Sequence, residues 1–410
     1  MTKPKILFIV IDGLGDRQIP ELDNKTPLEA AKTPNMDFFA SRGLTGLIKP
    51  IYKGSFPSSN DAHLSLFGYS LNKNYIGRGV FEAVASGIKL KKGDVAFRVN
   101  FASVDDNLII LDRRAGRIKY KEPLVKAIQG IKIKNIKFIL GNALEHRASL
   151  VLRGKNLSEM VSDGDPQKTG VKPLEIKPLK NSKEANFTAK VLNEYLSLTH
   201  KILMSHPFNQ KRLKNNLLPA NYLLIRNPGI LKKIENFNKK WNLKSCFIAG
   251  GFLYKGIAKT LGMREIKVKG ATGDENTNLK GKFQKAVQSL SKYNFCYLHI
   301  KAVDEFSHDG KFLEKKEFIE KIDKELKILK GLKNTIIILT ADHTTPCKIG
   351  QHTPDPVPVF VYFSDKNFQN KIEKFSEKNC QRGKLGILKS NQFLKKILEL
   401  SKNIDSLKFF

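Results

Sequence analysis

The stretch KILFIVID, residues 5–12, is a run of apolar and β-branched side chains that ends in an aspartate. Two later stretches have the same form, CYLHIKAVD at 296–304 and TIIILTAD at 335–342. Continuous apolar runs of this length, separated by helical patterns, are typical of parallel strands buried on both faces of a sheet. Ligands of such sheets bind beyond the carboxyl ends of the strands, so the closing acids are predicted to meet in one site. These acids are Asp12, Asp304 and Asp342.

The middle of the chain has a different pattern, with short strand candidates and glycine-containing turns. A segment of this kind between two halves of one sheet indicates an inserted domain. We therefore predict an α/β protein with a mostly parallel sheet that carries helices on both faces. Residues 1–75 and 271–410 would form a discontinuous catalytic domain, and residues 76–270 a smaller inserted α/β domain.

The composition, 41% hydrophobic and 27% charged residues, is that of a soluble globular protein. The apolar run near the start is about seven residues long and ends in Asp12, which favours a buried strand over a signal peptide or membrane span. The four cysteines are widely scattered and form no metal-type pair. Reduced thiols and a cytoplasmic location are the simplest expectation.

The net charge of +33 raises the possibility of a nucleic-acid-binding protein. Of the 72 basic residues, however, 59 are lysines spread along the whole chain, a pattern that indicates a solvated surface. We therefore expect neither a nucleic acid nor a membrane as partner. Nucleic-acid binding remains the alternative from another functional class, and it predicts steeply salt-dependent binding.

The arginines are distributed differently from the lysines. Seven of the 13 arginines lie between residues 78 and 153. Arginine suits bidentate binding of phosphate and carboxylate, whereas lysine serves as a general surface charge. This concentration predicts a site for a small anionic ligand.

Histidines accompany the acids that end the apolar runs. His308 lies four residues after Asp304, a spacing that places both side chains on one face of a helix. His343 follows Asp342 directly, and His352 lies nine residues further on in a proline-rich loop. Mixed carboxylate and imidazole ligands suit Mn²⁺ or Zn²⁺ better than Ca²⁺. With Asp12 the set is large enough for two metal ions, which together stabilise both oxygens of a phosphoryl displacement.

The stretch FPSSNDAHLSLFGY, residues 56–69, supplies a candidate nucleophile. A serine ahead of an amphipathic run is an ordinary helix N-cap, and the pair Ser58–Ser59 taken alone indicates no more than that. With the metal ligands in view, one of the two serines becomes a candidate nucleophile. The N-terminus of a helix also favours an incoming phosphate.

Eight motifs together resemble one known family. They are IDGLGD, S-x-x-A-H-L-x-L-x-G-Y, GRGVFEA, GDVAFRVNFASVD, DRRAGR, HIKAVDEFSHDG, ADHTTPC…H and DPVPV. Between about residue 5 and residue 390 the chain resembles the archaeal-type cofactor-independent phosphoglycerate mutases of the alkaline phosphatase superfamily. The resemblance implies an alkaline-phosphatase-like catalytic domain and an inserted substrate-binding domain.

The resemblance also implies roles for individual residues. The nucleophilic serine of the family stands four residues before a histidine, which selects Ser59. The resemblance implies two divalent ions and no bisphosphoglycerate. Mn²⁺ is the first candidate for these ions, and Zn²⁺, Co²⁺ and Mg²⁺ are the alternatives. One ion would be held by Asp304, His308 and His352, and the other by Asp12, Ser59, Asp342 and His343. The implied substrate-binding residues are Arg98, Arg113, Arg114, Arg117, His146 and Arg147.

The implied reaction interconverts 3-phosphoglycerate and 2-phosphoglycerate in glycolysis and gluconeogenesis, through a phosphoserine intermediate. The alternative enzyme is a metal-dependent phosphatase or phosphotransferase that acts on another small phosphate ester. The sequence departs from the family pattern in carrying Ser58 and Asn60 around the nucleophile, where glycine and aspartate are usual, and Asn278 where an acid is common. None of these positions is an implied metal ligand, so the chemistry is expected to survive.

Overall fold

The computed structural model describes residues 4–50, 57–71, 76–142, 145–368 and 372–402. In chain order the strands are β1 (Lys5–Ile11), β2 (Leu44–Lys49), β3 (Val95–Val104), β4 (Ile110–Asp112), β5 (Lys132–Ile133), β6 (Ile136–Asn142), β7 (Arg147–Arg153), β8 (Tyr222–Ile230), β9 (Ser245–Ile248), β10 (Arg264–Glu265), β11 (Phe295–Ile300), β12 (Thr335–Thr340), β13 (Val357–Phe363) and β14 (Gly386–Lys389). The helices are α1 (Pro27–Ala30), α2 (Pro34–Arg42), α3 (Ser59–Leu66), α4 (Arg78–Ala85), α5 (Glu122–Ala127), α6 (Lys183–Ser205), α7 (Pro207–Lys214), α8 (Phe237–Trp241), α9 (Phe252–Thr260), α10 (Leu279–Ser289), α11 (Ala302–His308), α12 (Phe312–Leu326), α13 (Glu377–Cys380) and α14 (Ser390–Lys402). Short 3₁₀ turns lie at Pro20–Leu22, Ala115–Arg117 and Lys327–Gly331. Within the described ranges, no helix is both long and apolar enough to cross a lipid bilayer.

The chain divides into two compact units. The first unit comprises residues 1–75 and 234–410, and the second comprises residues 76–233. The predicted boundary at residue 271, where the inserted domain was expected to end, is therefore wrong. Residues 234–270 belong to the first unit because β9 and β10 extend its sheet.

The first unit is built on an eight-stranded sheet. Its spatial order is β10-β9-β11-β1-β12-β13-β2-β14. All neighbouring strands pair in parallel except β13, which is antiparallel to both β12 and β2. The mostly parallel sheet is as predicted. The reversal of β13 follows from its connection, because residues 341–356, all of which are described, contain no helix to carry the chain back across the sheet.

The central strand β1 determines where the acids come together. It pairs with β11 on one side and β12 on the other, and residues 6–11 are buried. Val10 lies opposite both His299 and Thr340, so the three parallel strands end at nearly the same level. The loops that follow them therefore start from one edge of the sheet.

The second unit contains an antiparallel sheet of six strands in the order β4-β3-β7-β6-β5, with β8 also paired to β3. Alternate residues of β3, Phe97, Val99 and Phe101, belong to the hydrophobic core of this unit together with buried residues of α6. Since side chains alternate along a strand, Arg98 and Asn100 lie on the opposite face.

Candidate functional site

The acids predicted from the ends of the strands converge in the first unit. Ligand atoms of Asp12, Asp304 and His343 all lie within 4.8 Å of one another, and so do those of Asp304, His308 and His352. Asp304 belongs to both groups. Oδ2 of Asp342 lies 3.2 Å from Nε2 of His343, so this acid lies beside the first group.

The local structure accounts for the positions of these ligands. Helix α11 begins two residues after β11, and its i, i+4 spacing brings Nε2 of His308 within 3.3 Å of Oδ2 of Asp304. The loop between β12 and β13 brings Nε2 of His352 within 3.6 Å of Oδ1 of Asp304. Gly13, with φ of +63°, packs so closely that a Cβ there would lie 2.8 Å from Oδ1 of Asp304. Glycine therefore lets the loop after β1 pass against Asp304 of α11.

The site histidines are oriented by hydrogen bonds from the ring nitrogen that faces away from the acids. Nδ1 of His308 lies 2.7 Å from the carbonyl oxygen of Gly350, and Nδ1 of His352 lies 2.7 Å from that of Pro57. A carbonyl only accepts, so each Nδ1 donates its proton and Nε2 points toward the carboxylates. This is the arrangement found in histidines that bind metal ions through Nε2.

Oδ1 of Asp12 and Oδ2 of Asp342 are buried and have no hydrogen-bond partner among the described residues. Burial lowers the pKa of His343 to about 3, so its ring is neutral. Burial and the charges of Asp12 and Asp304 raise the pKa of Asp342 well above its usual value, which shows that these acids repel one another. An unpaired buried carboxylate oxygen is costly, and a divalent cation would satisfy both oxygens. The residues of this site therefore fit a metal centre.

The structure separates the two serines of the candidate nucleophile motif. Ser58 is the N-cap of α3, because its Oγ accepts a hydrogen bond from the backbone N–H of Asp61. Ser59 is the first residue of the helix, and its Oγ lies 3.3 Å from Nε2 of His343. The cap and the residue beside the acids are thus different serines.

Tyr254, His299, Lys301 and Thr345 contact Asp12 or Asp304 and were not identified from the sequence. The hydroxyl of Tyr254 donates to Oδ2 of Asp12, and Nε2 of His299 lies 3.4 Å from the same oxygen. Nζ of Lys301 lies 3.0 Å from Oδ2 of Asp304, whose Oδ1 accepts a hydrogen bond from Thr345. His299 and Lys301 lie in the quoted stretch before Asp304, which is a signal that could have found them. No such signal points to Tyr254, because it lies on α9, outside the quoted motifs.

In the second unit, arginines collect on the face of the sheet opposite the core. Arg98 on β3 pairs across the sheet with Arg226 on β8, and Asn100 pairs with Arg147 on β7. Nε of Arg98 lies 3.5 Å from Oε1 of Glu82 on α4. This alternation was visible in the sequence of β3, but Arg226 and Glu82 were not predicted.

Glu82 has a second cationic neighbour. Nε of Arg78 lies 2.9 Å from Oε1 of Glu82. Although burial opposes ionisation, the charges of Arg98 and Arg78 hold the pKa of Glu82 below its usual value. A buried carboxylate therefore holds two of the arginines in place.

The remaining predicted substrate-binding residues differ in their surroundings. Arg113 donates two hydrogen bonds to the carboxylate of Asp165, at 3.0 and 2.7 Å. Burial and the charges of Arg147, Arg114, Arg98 and Arg117 lower the pKa of His146 to about 3. Arg114 and Arg117 are exposed.

Several buried polar atoms of this face have no hydrogen-bond partner among the described residues: Oε2 of Glu82, Nε of Arg98, Oδ1 of Asn100, Nδ1 of His146 and Nε of Arg147.

Comparison with known proteins gives the family. Residues 40–209 match the family model described as 2,3-bisphosphoglycerate-independent phosphoglycerate mutase. A protein of that name from Methanococcus aeolicus is 45% identical over 97% of this chain and 98% of its own length. This chain belongs to the 2,3-bisphosphoglycerate-independent phosphoglycerate mutase family. Phosphoglycerate mutase 1 of this type from Methanocaldococcus jannaschii is 43% identical, over 98% of both chains.

Solved structures agree with this family assignment. A protein of Pyrococcus horikoshii superposes with a TM-score of 0.85 at 33% identity, over 98% of both chains. The cofactor-independent phosphoglycerate mutase of Thermoplasma acidophilum superposes with a TM-score of 0.71 at 35% identity, over 97% of this chain and 100% of the other. The resemblance to cofactor-independent phosphoglycerate mutases found in the sequence is confirmed, and mutases of this family are isomerases.

Proposed function

We propose that this protein interconverts 3-phosphoglycerate and 2-phosphoglycerate in glycolysis and gluconeogenesis, without bisphosphoglycerate and through a phosphoserine at Ser59. The observation that carries the proposal is the position of Ser59, whose Oγ lies 3.3 Å from Nε2 of His343. The same nitrogen faces Oδ1 of Asp12 and Oδ2 of Asp342, two buried oxygens that make no hydrogen bond to a described residue. Membership of the mutase family supports the choice of substrate.

Two divalent ions, Mn²⁺ first among the candidates, belong to this proposal. Asp304, His308 and His352 would hold one, and Asp12, Ser59, Asp342 and His343 the other. When bound, such ions offset the charge on the phosphoryl oxygens and favour ionisation of the serine hydroxyl.

The reaction consists of two balanced displacements. In the first, Oγ of Ser59 forms a bond to phosphorus, the bond from phosphorus to the glycerate oxygen breaks, and that oxygen ends as a hydroxyl with the serine proton. In the second, the other glycerate hydroxyl takes the phosphoryl group and Ser59 regains a proton. Glycerate has to stay bound between the two displacements, since water attack on the phosphoserine would make the enzyme a phosphatase.

We assign retention of glycerate to the face of the second unit's sheet that carries Arg98, Arg147 and Arg226, here called the cationic face. Arg98, Arg147 and His146 have buried nitrogens that make no hydrogen bond to any described residue, which suits binding of a carboxylate and hydroxyls. Arg113, Arg114 and Arg117 complete the proposed set. Arg226 and Arg78 lie close enough to contribute to the same positive potential, because the charge of each acts on Arg98.

The test measures formation of 2-phosphoglycerate from 3-phosphoglycerate, with enolase as the coupling enzyme. The protein is first stripped of metal, Mn²⁺ is then restored, and no bisphosphoglycerate is added. Ser59→Ala should abolish the activity. The control is Ser58→Gly, which removes the cap side chain at a cost of a few tenths of a kcal/mol and should keep the activity. Mass spectrometry of the quenched wild type should locate a phosphoryl group on Ser59.

Two outcomes would contradict the proposal. Release of free phosphate and glycerate in place of 2-phosphoglycerate would identify a phosphatase. Full activity of the Ser59→Ala variant, or loss of activity only in the Ser58→Gly variant, would remove Ser59 as the nucleophile.

A further inference from the structure

Thr345 connects the two groups of candidate metal ligands. It lies in the loop after β12 and its side chain is fully buried. Its hydroxyl donates to Oδ1 of Asp304 at 3.0 Å. On its other side, Oγ1 lies 3.0 Å from Nδ1 of His343. One hydroxyl thus bridges an imidazole of one group and the carboxylate that both groups share.

The direction of both hydrogen bonds follows from the chemistry of the partners. Asp304 also lies 3.0 Å from Nζ of Lys301, an ion pair in which its carboxylate only accepts. The single proton of the Thr345 hydroxyl therefore goes to Asp304. The hydroxyl oxygen is left as an acceptor, so Nδ1 of His343 must donate. This fixes the neutral ring in the tautomer whose Nε2 lone pair faces Asp12 and Asp342.

His343 differs in this respect from three other histidines around the acids. His63, His308 and His352 donate from Nδ1 to backbone carbonyl oxygens, those of Ser59, Gly350 and Pro57. Of these four rings, only that of His343 is oriented by a side chain. A point substitution can therefore remove the partner of His343, whereas backbone partners remain in every variant.

We propose that Thr345 is a positioning residue that sets the tautomer of His343 and the direction of the Asp304 carboxylate, and so couples the two halves of the metal centre. The inference rests on the proposed two-metal function. Its consequence is that loss of one buried hydroxyl, which is not itself a proposed ligand, weakens binding of both ions.

The first measurement is made on metal-free protein labelled with ¹⁵N at histidine. Long-range ¹H–¹⁵N spectra distinguish the two neutral tautomers, and a His343→Gln spectrum assigns the signals of that ring. In the wild type and in Thr345→Ser, His343 should carry its proton on Nδ1. In Thr345→Val, which keeps the shape but neither accepts nor donates, the ring should shift toward the Nε2–H form. Thr345→Ala supplies the same comparison if the valine variant does not fold.

The second measurement is calorimetric titration with Mn²⁺. Removal of a group that orients a ligand typically weakens metal binding about 10- to 100-fold, which we expect for Thr345→Val and Thr345→Ala, with recovery to within a few-fold in Thr345→Ser. The matched control is Thr344→Val, since the Thr344 hydroxyl is equally buried but donates to the carbonyl oxygen of Asp355. Its affinity should stay within twofold of the wild type.

The outcomes separate this inference from the function on which it rests. An unchanged tautomer and unchanged Mn²⁺ affinity in Thr345→Val would overturn the role of Thr345 and leave the mutase proposal intact. A wild type that binds no Mn²⁺ would overturn the two-metal proposal, whatever the tautomer spectra show.

Discussion

The carboxylate of Asp12 is bound by protein on one side only. Its Oδ2 accepts a hydrogen bond from Tyr254 and lies 3.4 Å from Nε2 of His299, while its Oδ1 has no partner among the described residues. Burial and the charge of Asp12 raise the pKa of Tyr254 well above its usual value, so the hydroxyl keeps the proton that it donates. The bound oxygen thus orients the other oxygen toward His343.

Substitution of Tyr254 tests this arrangement at the residue scale. Tyr254→Phe removes the donor to Asp12 with little change in volume, and we expect Mn²⁺ binding to weaken about 10-fold or more. Tyr297→Phe is the control, because the Tyr297 hydroxyl is also buried but has no hydrogen-bond partner among the described residues. Calorimetric titration of both variants makes the comparison. Equal affinities would show that the Tyr254 hydroxyl does not orient Asp12.

At the scale of elements, helix α12 anchors two loops that carry acids. Lys315 is fully buried, and its Nζ donates to the carbonyl oxygens of Gly13 and Thr345, at 3.0 and 3.2 Å. It also pairs with Asp16 at 2.8 Å, and Asp16 accepts from the backbone N–H of Cys347. One ammonium group therefore joins the loop after β1 to the loop after β12.

Removal of this ammonium group should be strongly destabilising. Lys315→Met leaves Asp16 as an uncompensated buried charge, for which we expect a loss of about 3–5 kcal/mol in the free energy of unfolding. Lys316→Met is the control, since that lysine forms a partly exposed pair with Glu320 and should change stability by about 0.5 kcal/mol or less. Urea unfolding gives both values. A loss below about 1 kcal/mol for Lys315→Met would contradict the anchoring role.

At the scale of the whole molecule, the proposed functions divide between the two compact units. The acids, the histidines and Ser59 belong to residues 1–75 and 234–410, whereas the cationic face belongs to residues 76–233. Metal binding and substrate binding should therefore respond to different substitutions. The absence of a nucleic-acid partner stays a prediction.

Arg98 provides the test of this division. Arg98→Met should leave the number of Mn²⁺ ions bound per chain unchanged and lower kcat/KM roughly 30-fold or more, because loss of a buried charge contact costs about 2–5 kcal/mol. Arg153→Met is the control, an arginine of the same sheet whose guanidinium is paired with Asp94. It should keep the wild-type kcat/KM. If Arg98→Met also lost metal, the two functions would not be separable.

Several features could be predicted from the sequence because they are local. An apolar run followed by an acid indicates a buried strand with an acid just beyond it, so Asp12, Asp304 and Asp342 were identified before their neighbours were known. Asp12 and Asp342 lie in the loops after β1 and β12, whereas Asp304 lies in the first turn of α11. The four-residue spacing of Asp304 and His308 is likewise a property of one short helix. The return at residue 234 was missed because the short strands β9 and β10 join a sheet whose other strands lie far from them in sequence.

The sequence by itself determined which elements form and which residues end them, since hydrophobic periodicity and residue spacing act over a few residues. Only the tertiary structure decided that β1 lies between β11 and β12, which brings the three acids together. It also placed Ser59 beside His343, and Tyr254 and Thr345 against the carboxylates. These contacts depend on strand order and loop path, and nothing within a short stretch of sequence encodes the distance between side chains that lie tens to hundreds of residues apart.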